Sequence, residues 1–127
     1  MIELSTVIVD AATLPSQAAV ATPIDVAHLA RMTLGDASLE REVLQLYDRQ
    51  ADMLLARMRQ MKPAAAAAYA HTLKGSSSGI GAWKVARAAA AVEFAAARNG
   101  DVAAAISKLG TAVGEARAMI AELLRAH

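Results

Sequence analysis

Helix start and stop signals divide this alanine-rich chain into segments, and this division constrains its fold more than any other feature. Alanine is the strongest helix former, whereas strands favour β-branched and aromatic residues. Aromatic residues make up only 3% of the chain, although 56% of it is hydrophobic. The pattern therefore predicts an all-α protein, and 127 residues are enough for one domain with its own core.

The N-terminal part is predicted to be a flexible leader over residues 1–22, followed by a helical domain over residues 23–127. Thr22 can cap a short first helix, Pro23 suits its first turn, and Gly35 ends it. The apolar face of this short helix is expected to contain Ile24, Ala27, Leu29 and Met32.

Four longer helices are predicted to follow, at about residues 37–61, 64–78, 83–98 and 102–125. Asp36 and Asp101 suit N-caps, Pro63 suits a first turn, Gly79 and Gly81 loosen the second of these helices, and Asn99-Gly100 ends the third. The buried stripe of the first is expected to contain Leu39, Val43, Leu46, Tyr47, Leu54, Met58 and Met61. Because the connections are short, the chain should form an antiparallel up-down-up-down four-helix bundle with a short additional N-terminal helix.

The charge balance argues against several classes of function. The net charge is +1, so no global field attracts nucleic acid or an anionic membrane. The basic residues that could suggest nucleic acid are interleaved with acids along the helices: Arg31, Arg41, Arg49, Arg57 and Arg59. Residues 1–22 contain no basic residue, which argues against a secretory signal, and no apolar run suggests a membrane span. We expect a cytoplasmic monomer that binds neither nucleic acid nor membrane and forms no disulfide, since cysteine is absent.

The stretch from Ala70 to Ala82 contains the most informative residues. At about 100° per residue around a helix, His71 points to solvent, opposite an inward face formed by Tyr69, Leu73, Ser76 and Ile80. The neighbours on its own side are small apart from one lysine: Ala67, Lys74, Gly75 and Ser78. Because a glycine inside a helix costs about 1 kcal/mol relative to alanine, Gly75 indicates clearance for a reactive group of another protein.

Histidine suits phosphoryl chemistry because a neutral imidazole has one nitrogen with a free lone pair. Lys74, one turn beyond His71, can offset growing negative charge, and Ser78 can donate a hydrogen bond. If only the direction of the side chain and its neighbours are considered, His71 could also be a surface histidine without a chemical role. His28 and His127 have no partner at ligand spacing, and no metal site or cofactor is predicted.

The run from His71 to Ser77, followed by Ile80-Gly81-Ala82, resembles the signature of histidine-containing phosphotransfer (HPt) domains. Gly35-Asp36, Glu93 and the run from Arg98 to Asp101 also sit where such domains usually have similar residues. The resemblance covers most of the chain. It implies that His71 is phosphorylated on the ring nitrogen distal to the backbone.

The same resemblance implies the roles of the neighbouring residues. Lys74 and Gly75 match the phosphate-side lysine and the clearance glycine of the family, and Ser78 lies on the same face. Some members have a glutamine that orients the histidine at the place of Glu93; here the acid could hold the near ring nitrogen protonated. On the sequence alone we favour the alternative, a salt bridge from Glu93 to the nearby arginines, Arg87 or Arg98.

The implied mechanism is a shuttle between receiver domains, each of which carries the reactive aspartate and its own Mg²⁺. The expected partners are response-regulator receiver domains, a hybrid histidine kinase, or both. The chain would then need no cofactor and would not be an autonomous enzyme. Its initial methionine and complete predicted bundle favour a free-standing protein.

Two other functions are possible for a helical bundle with an exposed histidine. Histidine kinase dimerisation domains have an acidic residue directly after the histidine and a proline soon beyond, whereas Thr72 follows His71 and no such proline is present. The chain also has no Gly-rich ATP-binding domain. A non-catalytic helical adaptor bundle that binds receiver or kinase domains would explain the apolar stripes, but not an exposed histidine beside a costly glycine.

Overall fold

A computed structural model describes residues 21–126, and all regular structure in this range is helical. The elements are α1 (Val26–Met32), α2 (Ala37–Gln60), a 3₁₀ turn (Pro63–Ala65), α3 (Ala66–Ile80), α4 (Trp83–Ala97) and α5 (Val102–Ala126). The predicted all-α class is confirmed for this part of the chain. The predicted leader, residues 1–22, lies outside the described residues except for its last two.

The four long helices enclose one core. Each packs on the next along the chain, and α2 also packs on α5. The largest fully buried apolar side chains come from all five helices and the segment before α1: Ile24, Leu29, Leu44, Met58, Leu73, Val85, Val92, Leu109 and Ile120. Since each such side chain contributes about 1.5–3 kcal/mol on burial, this core is the main stabilisation of the fold.

Helix α1 begins later than predicted, so the assignment of Thr22 as its cap and Pro23 as its first turn is wrong. Asp25 is the N-cap, and its carboxylate accepts a hydrogen bond from the peptide N–H of His28 at 3.1 Å. The hydroxyl of Thr22 instead donates to the carbonyl of Ile24 at 3.2 Å. Asp25 is preferred because its own peptide N–H also donates to the carbonyl of Gly81 at 2.9 Å, which holds the chain extended before the helix.

The predicted apolar face of α1 is half right. Ile24 and Leu29 are buried, but Ala27 and Met32 are exposed. The later start explains this error, because Ile24 precedes the helix and only one position of a seven-residue helix faces the core.

The buried stripe of α2 is rotated from its predicted position. Leu39 and Leu46 are 40% and 59% exposed, so their predicted burial is wrong, whereas Leu44, Ala51 and Leu55 are buried. At about 100° per residue these three residues lie on the flank of α2 away from Leu39 and Leu46. Because α2 packs on both α3 and α5, its buried face is wider than one stripe, and the leucines beyond the α3 edge remain exposed.

The inward face of α3 is rotated in the same way. Leu73 and Ile80 are buried as predicted, but Tyr69 and Ser76 are only half-buried. Ala66, Ala70 and Ser77 complete the buried face instead. Small side chains let α3 and α4 pack along most of their length, so the face turns towards α4.

The ends of the other helices follow the predicted signals, with two exceptions in α3. Asp36 accepts from the N–H groups of Ser38 and Leu39, and Asp101 accepts from that of Ala104. Before α3, Pro63 begins a 3₁₀ turn, and Gly79 continues the helix to Ile80 rather than loosening it. None of the helices in residues 21–126 combines the length and the apolar character that crossing a membrane requires.

Gly81 is the position where the fold most needs glycine, because its φ is +84° and a Cβ would meet α1. That atom would lie 3.0 Å from both Cβ and the carbonyl oxygen of Asp25. Gly81→Ala is therefore expected to lower the free energy of unfolding by about 1–3 kcal/mol, measured by urea denaturation. Gly79→Ala is the matched control, since Gly79 is helical and open; it should raise stability by up to about 1 kcal/mol. Equal effects of the two substitutions would contradict this account of the turn.

Candidate functional site

His71 projects from α3 into solvent, with 70% of its side chain exposed, as predicted from the helical periodicity. Its Nδ1 lies 3.0 Å from Oε2 of Glu93 on α4. An ionised carboxylate can only accept a hydrogen bond, so Nδ1 carries the proton. In the neutral ring this places the free lone pair on Nε2, the nitrogen distal to the backbone.

The positive charge of Lys74 stabilises the ionised form of the Glu93 carboxyl group. The ammonium group of Lys74, 2.8 Å from Oε1, holds the pKa of the Glu93 carboxyl below its usual value, against a partial burial that would raise it; the His71 contact lowers it further. The stabilisation from these contacts is therefore present above the usual pKa of a glutamate. It is lost as the pH falls through the lowered value.

The salt bridge from Glu93 to Arg87 or Arg98, favoured on sequence grounds, is wrong. The guanidinium of Arg98 stacks on the ring of Phe94, 4.3 Å from its centroid, and Arg87 is exposed. Glu93 turns to α3 because buried alanines at the interface, such as Ala70 and Ala89, bring the two helices close together. One carboxylate therefore contacts both His71 and Lys74.

Gly75 leaves the surface beside His71 open. It is an exposed position within α3, and a Cβ placed there would find no atom within 4 Å. Ser78 is half-buried two turns beyond His71 and makes no hydrogen bond to it. The structure thus brings together His71, Lys74 and Glu93, with Gly75 as open surface beside them, and leaves Ser78 apart.

Comparison with known proteins adds a family assignment to this geometry. The family model of the Hpt domain matches residues 39–126, from α2 to the end of α5, and so includes all of these residues. The chain belongs to the Hpt domain family. HPt domains transfer phosphoryl groups in two-component phosphorelays, where they interact with receiver domains and kinases. No curated protein and no solved structure matches the chain.

Ser77, in the motif of this HPt domain, belongs to the core. It is fully buried, and its Oγ lies 2.7 Å from the hydroxyl oxygen of Tyr47 on α2. Burial raises the pKa of Tyr47 to about 12, although the hydrogen bond to Ser77 acts in the opposite direction, so the phenol stays neutral. Ser77 was not among the residues predicted to face the core, although its spacing from Leu73 and Ile80 places it on the same face of α3 and could have indicated its burial.

His28 joins α1 to the end of the motif helix. Its Nε2 donates to the carbonyl of Gly79 at 3.1 Å, and its ring packs edge-on against Trp83. The indole N–H of Trp83 donates to Asp25 at 3.0 Å. Burial would raise the pKa of Asp25, but the hydrogen bonds from Trp83 and the His28 peptide N–H outweigh it and lower the pKa. These contacts fix α1 at the α3–α4 corner of the HPt domain.

A shallow apolar groove runs between α2 and α3 of this HPt domain. Its volume is about 320 Å³, and its lining includes Val43, Leu46, Ser76 and Ile80. Within residues 21–126, no three His, Cys, Asp or Glu side chains are close enough to hold a metal ion.

Proposed function

We propose that this HPt domain accepts a phosphoryl group on Nε2 of His71 from the phosphoaspartate of one receiver domain and passes it to the aspartate of another. The observation that supports this most directly is the contact between Nδ1 and Glu93. It turns the lone pair of Nε2 towards solvent, on a face where Gly75 leaves room for a partner.

The transfer is a displacement at phosphorus. The Nε2 lone pair forms a bond to phosphorus while the bond to the aspartyl oxygen breaks, and that bond's electron pair stays on the carboxylate. In the onward step an aspartate oxygen of the second receiver attacks, and the electron pair of the Nε2–phosphorus bond returns to the ring. Receiver domains supply Mg²⁺, so the HPt domain needs no cofactor and is not an autonomous enzyme.

The neighbouring side chains assist this step in different ways. Glu93 orients the ring and keeps the proton on Nδ1, and Lys74 offers positive charge to the phosphoryl oxygens. Gly75 admits the partner's active site, whereas Ser78, two turns beyond His71, is too far away to assist the step. No metal ion is required among these residues.

We propose the groove between α2 and α3 as part of the docking surface for receiver domains. Leu46 is a large apolar side chain with 59% exposure, and the groove beside it is lined mainly by apolar atoms of α2 and α3. Exposed apolar patches of this kind favour protein partners. The small residues Gly75 and Ser76 connect this groove to His71 along one side of α3.

The arrangement that we propose for the long helices is the antiparallel up-down-up-down bundle, with α1 as the additional N-terminal helix. Two contacts support it for α2 and α5: Arg41, early in α2, donates to the carbonyl of Leu124, and Arg117 pairs with Asp48 at 2.8 Å. Both contacts are those expected of two helices that run in opposite directions. A monomer in the cytoplasm is the form in which we expect the protein to act.

The proposal is tested by incubation with a receiver domain that carries a ³²P-labelled phosphoaspartate. Label that moves to the HPt domain and is acid-labile but alkali-stable supports the proposal. Stable binding of the receiver without any transfer of label supports instead the alternative, a non-catalytic adaptor bundle.

Lys74→Ala is expected to slow transfer from the receiver about tenfold, because one positive charge near the phosphoryl oxygens is lost. The bundle should remain folded, since Lys74 itself is 37% exposed and the loss of one partly exposed ion pair costs only about 1 kcal/mol. Rapid-quench phosphotransfer kinetics and thermal unfolding measure the two effects. Lys84→Ala is the matched control, because Lys84 is similarly exposed at the start of α4 and pairs only weakly with Glu115, at 4.0 Å. Unchanged rates in Lys74→Ala would remove the electrostatic role.

A further inference from the structure

Two groups of the proposed site share one carboxylate. Glu93 contacts Nδ1 of His71 through Oε2 and the ammonium group of Lys74 through Oε1. With a neutral imidazole, the charges of the three side chains sum to zero. The ion pair with Glu93 therefore offsets the positive charge that Lys74 would otherwise offer to a phosphoryl group.

Resting on the proposed function, we propose that Lys74 exchanges partners when His71 is phosphorylated, leaving Glu93 for the phosphoryl oxygens. The exchange costs free energy, because the negative charge of Glu93 attracts Lys74 and repels the phosphoryl group. The phosphohistidine is therefore less stable than it would be without this charge, and the equilibrium of transfer shifts towards the receiver aspartate. Glu93 is thus a positioning residue that also sets the equilibrium of transfer.

The environment of the carboxylate makes the exchange unfavourable. Oε1 of Glu93 is shielded from solvent and has no hydrogen-bond partner besides its ion pair with Lys74. A shielded carboxylate oxygen that loses its cation is destabilised. Lys74 itself is 37% exposed and has a flexible stem, so its ammonium group is free to turn towards a new anion.

The charges predict the direction of the effect. The phosphoryl group itself carries nearly two negative charges at neutral pH, and the imidazole ring, which keeps its Nδ1 proton, gains one positive charge, so phosphorylation adds about one net negative charge to the site. In the wild type the phosphoryl group meets a site of zero net charge, whereas Glu93→Gln gives a site of net charge +1 in which Lys74 has no competing anion. The amide oxygen of glutamine can still accept the hydrogen bond from Nδ1. Glu93→Gln should therefore favour the phosphohistidine without disturbing the ring.

The experiment uses phosphoramidate, a small phosphoryl donor that needs no receiver. The Nε2 lone pair attacks phosphorus, the phosphorus–nitrogen bond of the donor breaks, and ammonia leaves. At fixed phosphoramidate and ammonium concentrations, ³¹P NMR gives the ratio of phosphorylated to free His71. We expect this ratio to rise about threefold to tenfold in Glu93→Gln, the range for one charge at short distance near a protein surface. Glu93→Asp, which retains the charge, should stay near the wild type.

Two further variants distinguish the partner exchange of Lys74 from a change in net charge and from direct repulsion by Glu93. Glu115→Gln changes the net charge of the chain equally but lies on α5, paired with Lys84, and should leave the ratio unchanged. In a Lys74→Met background the effect of Glu93→Gln should fall at least about threefold, since no lysine is left to exchange. An undiminished effect there would mean that repulsion acts alone and would overturn the exchange.

A ratio that is unchanged or lower in Glu93→Gln also overturns the inference, since the carboxylate would then stabilise the phosphohistidine through Nδ1–H. These outcomes leave the proposed function intact, because His71 is phosphorylated in each of them. The absence of phosphohistidine from both the wild type and Glu93→Gln would instead count against the proposed function.

Discussion

Replacing His71 with glutamine is expected to remove all phosphohistidine formed with either phosphoramidate or a phosphorylated receiver. Glutamine retains polarity and similar length but has no nucleophilic nitrogen, because its amide lone pair is delocalised. The free energy of unfolding should change by no more than about 1 kcal/mol, since the side chain is 70% exposed and its contact with Glu93 lies at the surface. The loss of label is therefore chemical and not a result of unfolding.

The chain provides a matched control for this substitution. It contains three histidines, so His127→Gln removes an imidazole that is outside the motif and is not one of the proposed site residues. That variant should be labelled like the wild type, as shown by alkali-stable ³²P and by the modified peptide in mass spectrometry. Equal labelling of His71→Gln and wild type would mean that another residue carries the phosphoryl group.

Gly75→Leu is expected to slow transfer from a receiver domain by about 100-fold, because the new side chain holds the receiver's phosphoaspartate away from Nε2. Its effect on the isolated protein should be the opposite. No atom lies within 4 Å of the Cβ position, and leucine is a better helix former than glycine, so stability should rise by up to about 1 kcal/mol. A variant that is more stable yet blocked in transfer would identify Gly75 as a clearance position.

A small phosphoryl donor distinguishes steric blocking of the receiver in Gly75→Leu from disruption of the site itself. Phosphoramidate is small enough to reach Nε2 past a leucine, so Gly75→Leu should retain labelling by this donor while losing transfer from the receiver. Gly114→Leu is the control, since Gly114 is an equally open helical glycine on α5. Transfer from the receiver at the wild-type rate in Gly75→Leu would show that partners do not approach over this residue.

The helix boundaries could be predicted from the sequence because they depend on short-range interactions. Asp36 and Asp101 hydrogen-bond to N–H groups two or three residues away, and Asn99 adopts the left-handed conformation at the end of α4. The start of α1 was missed for a long-range reason. Asp25 is held by Gly81 and Trp83, which are far away in the sequence, and only the folded corner brings them together.

The candidate site also combines features that depend on short-range interactions with a feature that depends on long-range packing. Exposure of His71 and the open space at Gly75 followed from the period of a single helix. The contact of Glu93 with His71 and Lys74 depends on how α4 is rotated against α3, and nearby arginines offered an equally reasonable partner. The packing of small alanines decides between them, and the hydrophobic period of either helix alone contains no information about that rotation.

The buried faces of α2 and α3 show a related limit. A helix with two packing neighbours buries a broad face that includes alanines, as Ala51 and Ala70 show. Large apolar residues occur at the edge of such a face as well as at its centre, so their spacing alone does not show which of them are buried. For this reason Leu46 was wrongly expected in the core. Its exposure near the site instead supplies part of the proposed docking surface.

A ³¹P–¹⁵N correlation spectrum of the protein, labelled with ¹⁵N-histidine and phosphorylated by a receiver domain, would show directly which atom carries the phosphoryl group. We expect one phosphorus resonance coupled to Nε2 of His71, with the proton remaining on Nδ1 beside Glu93. Phosphorus coupled to Nδ1, or phosphorus bound to oxygen with no coupling to any histidine nitrogen, would contradict this expectation.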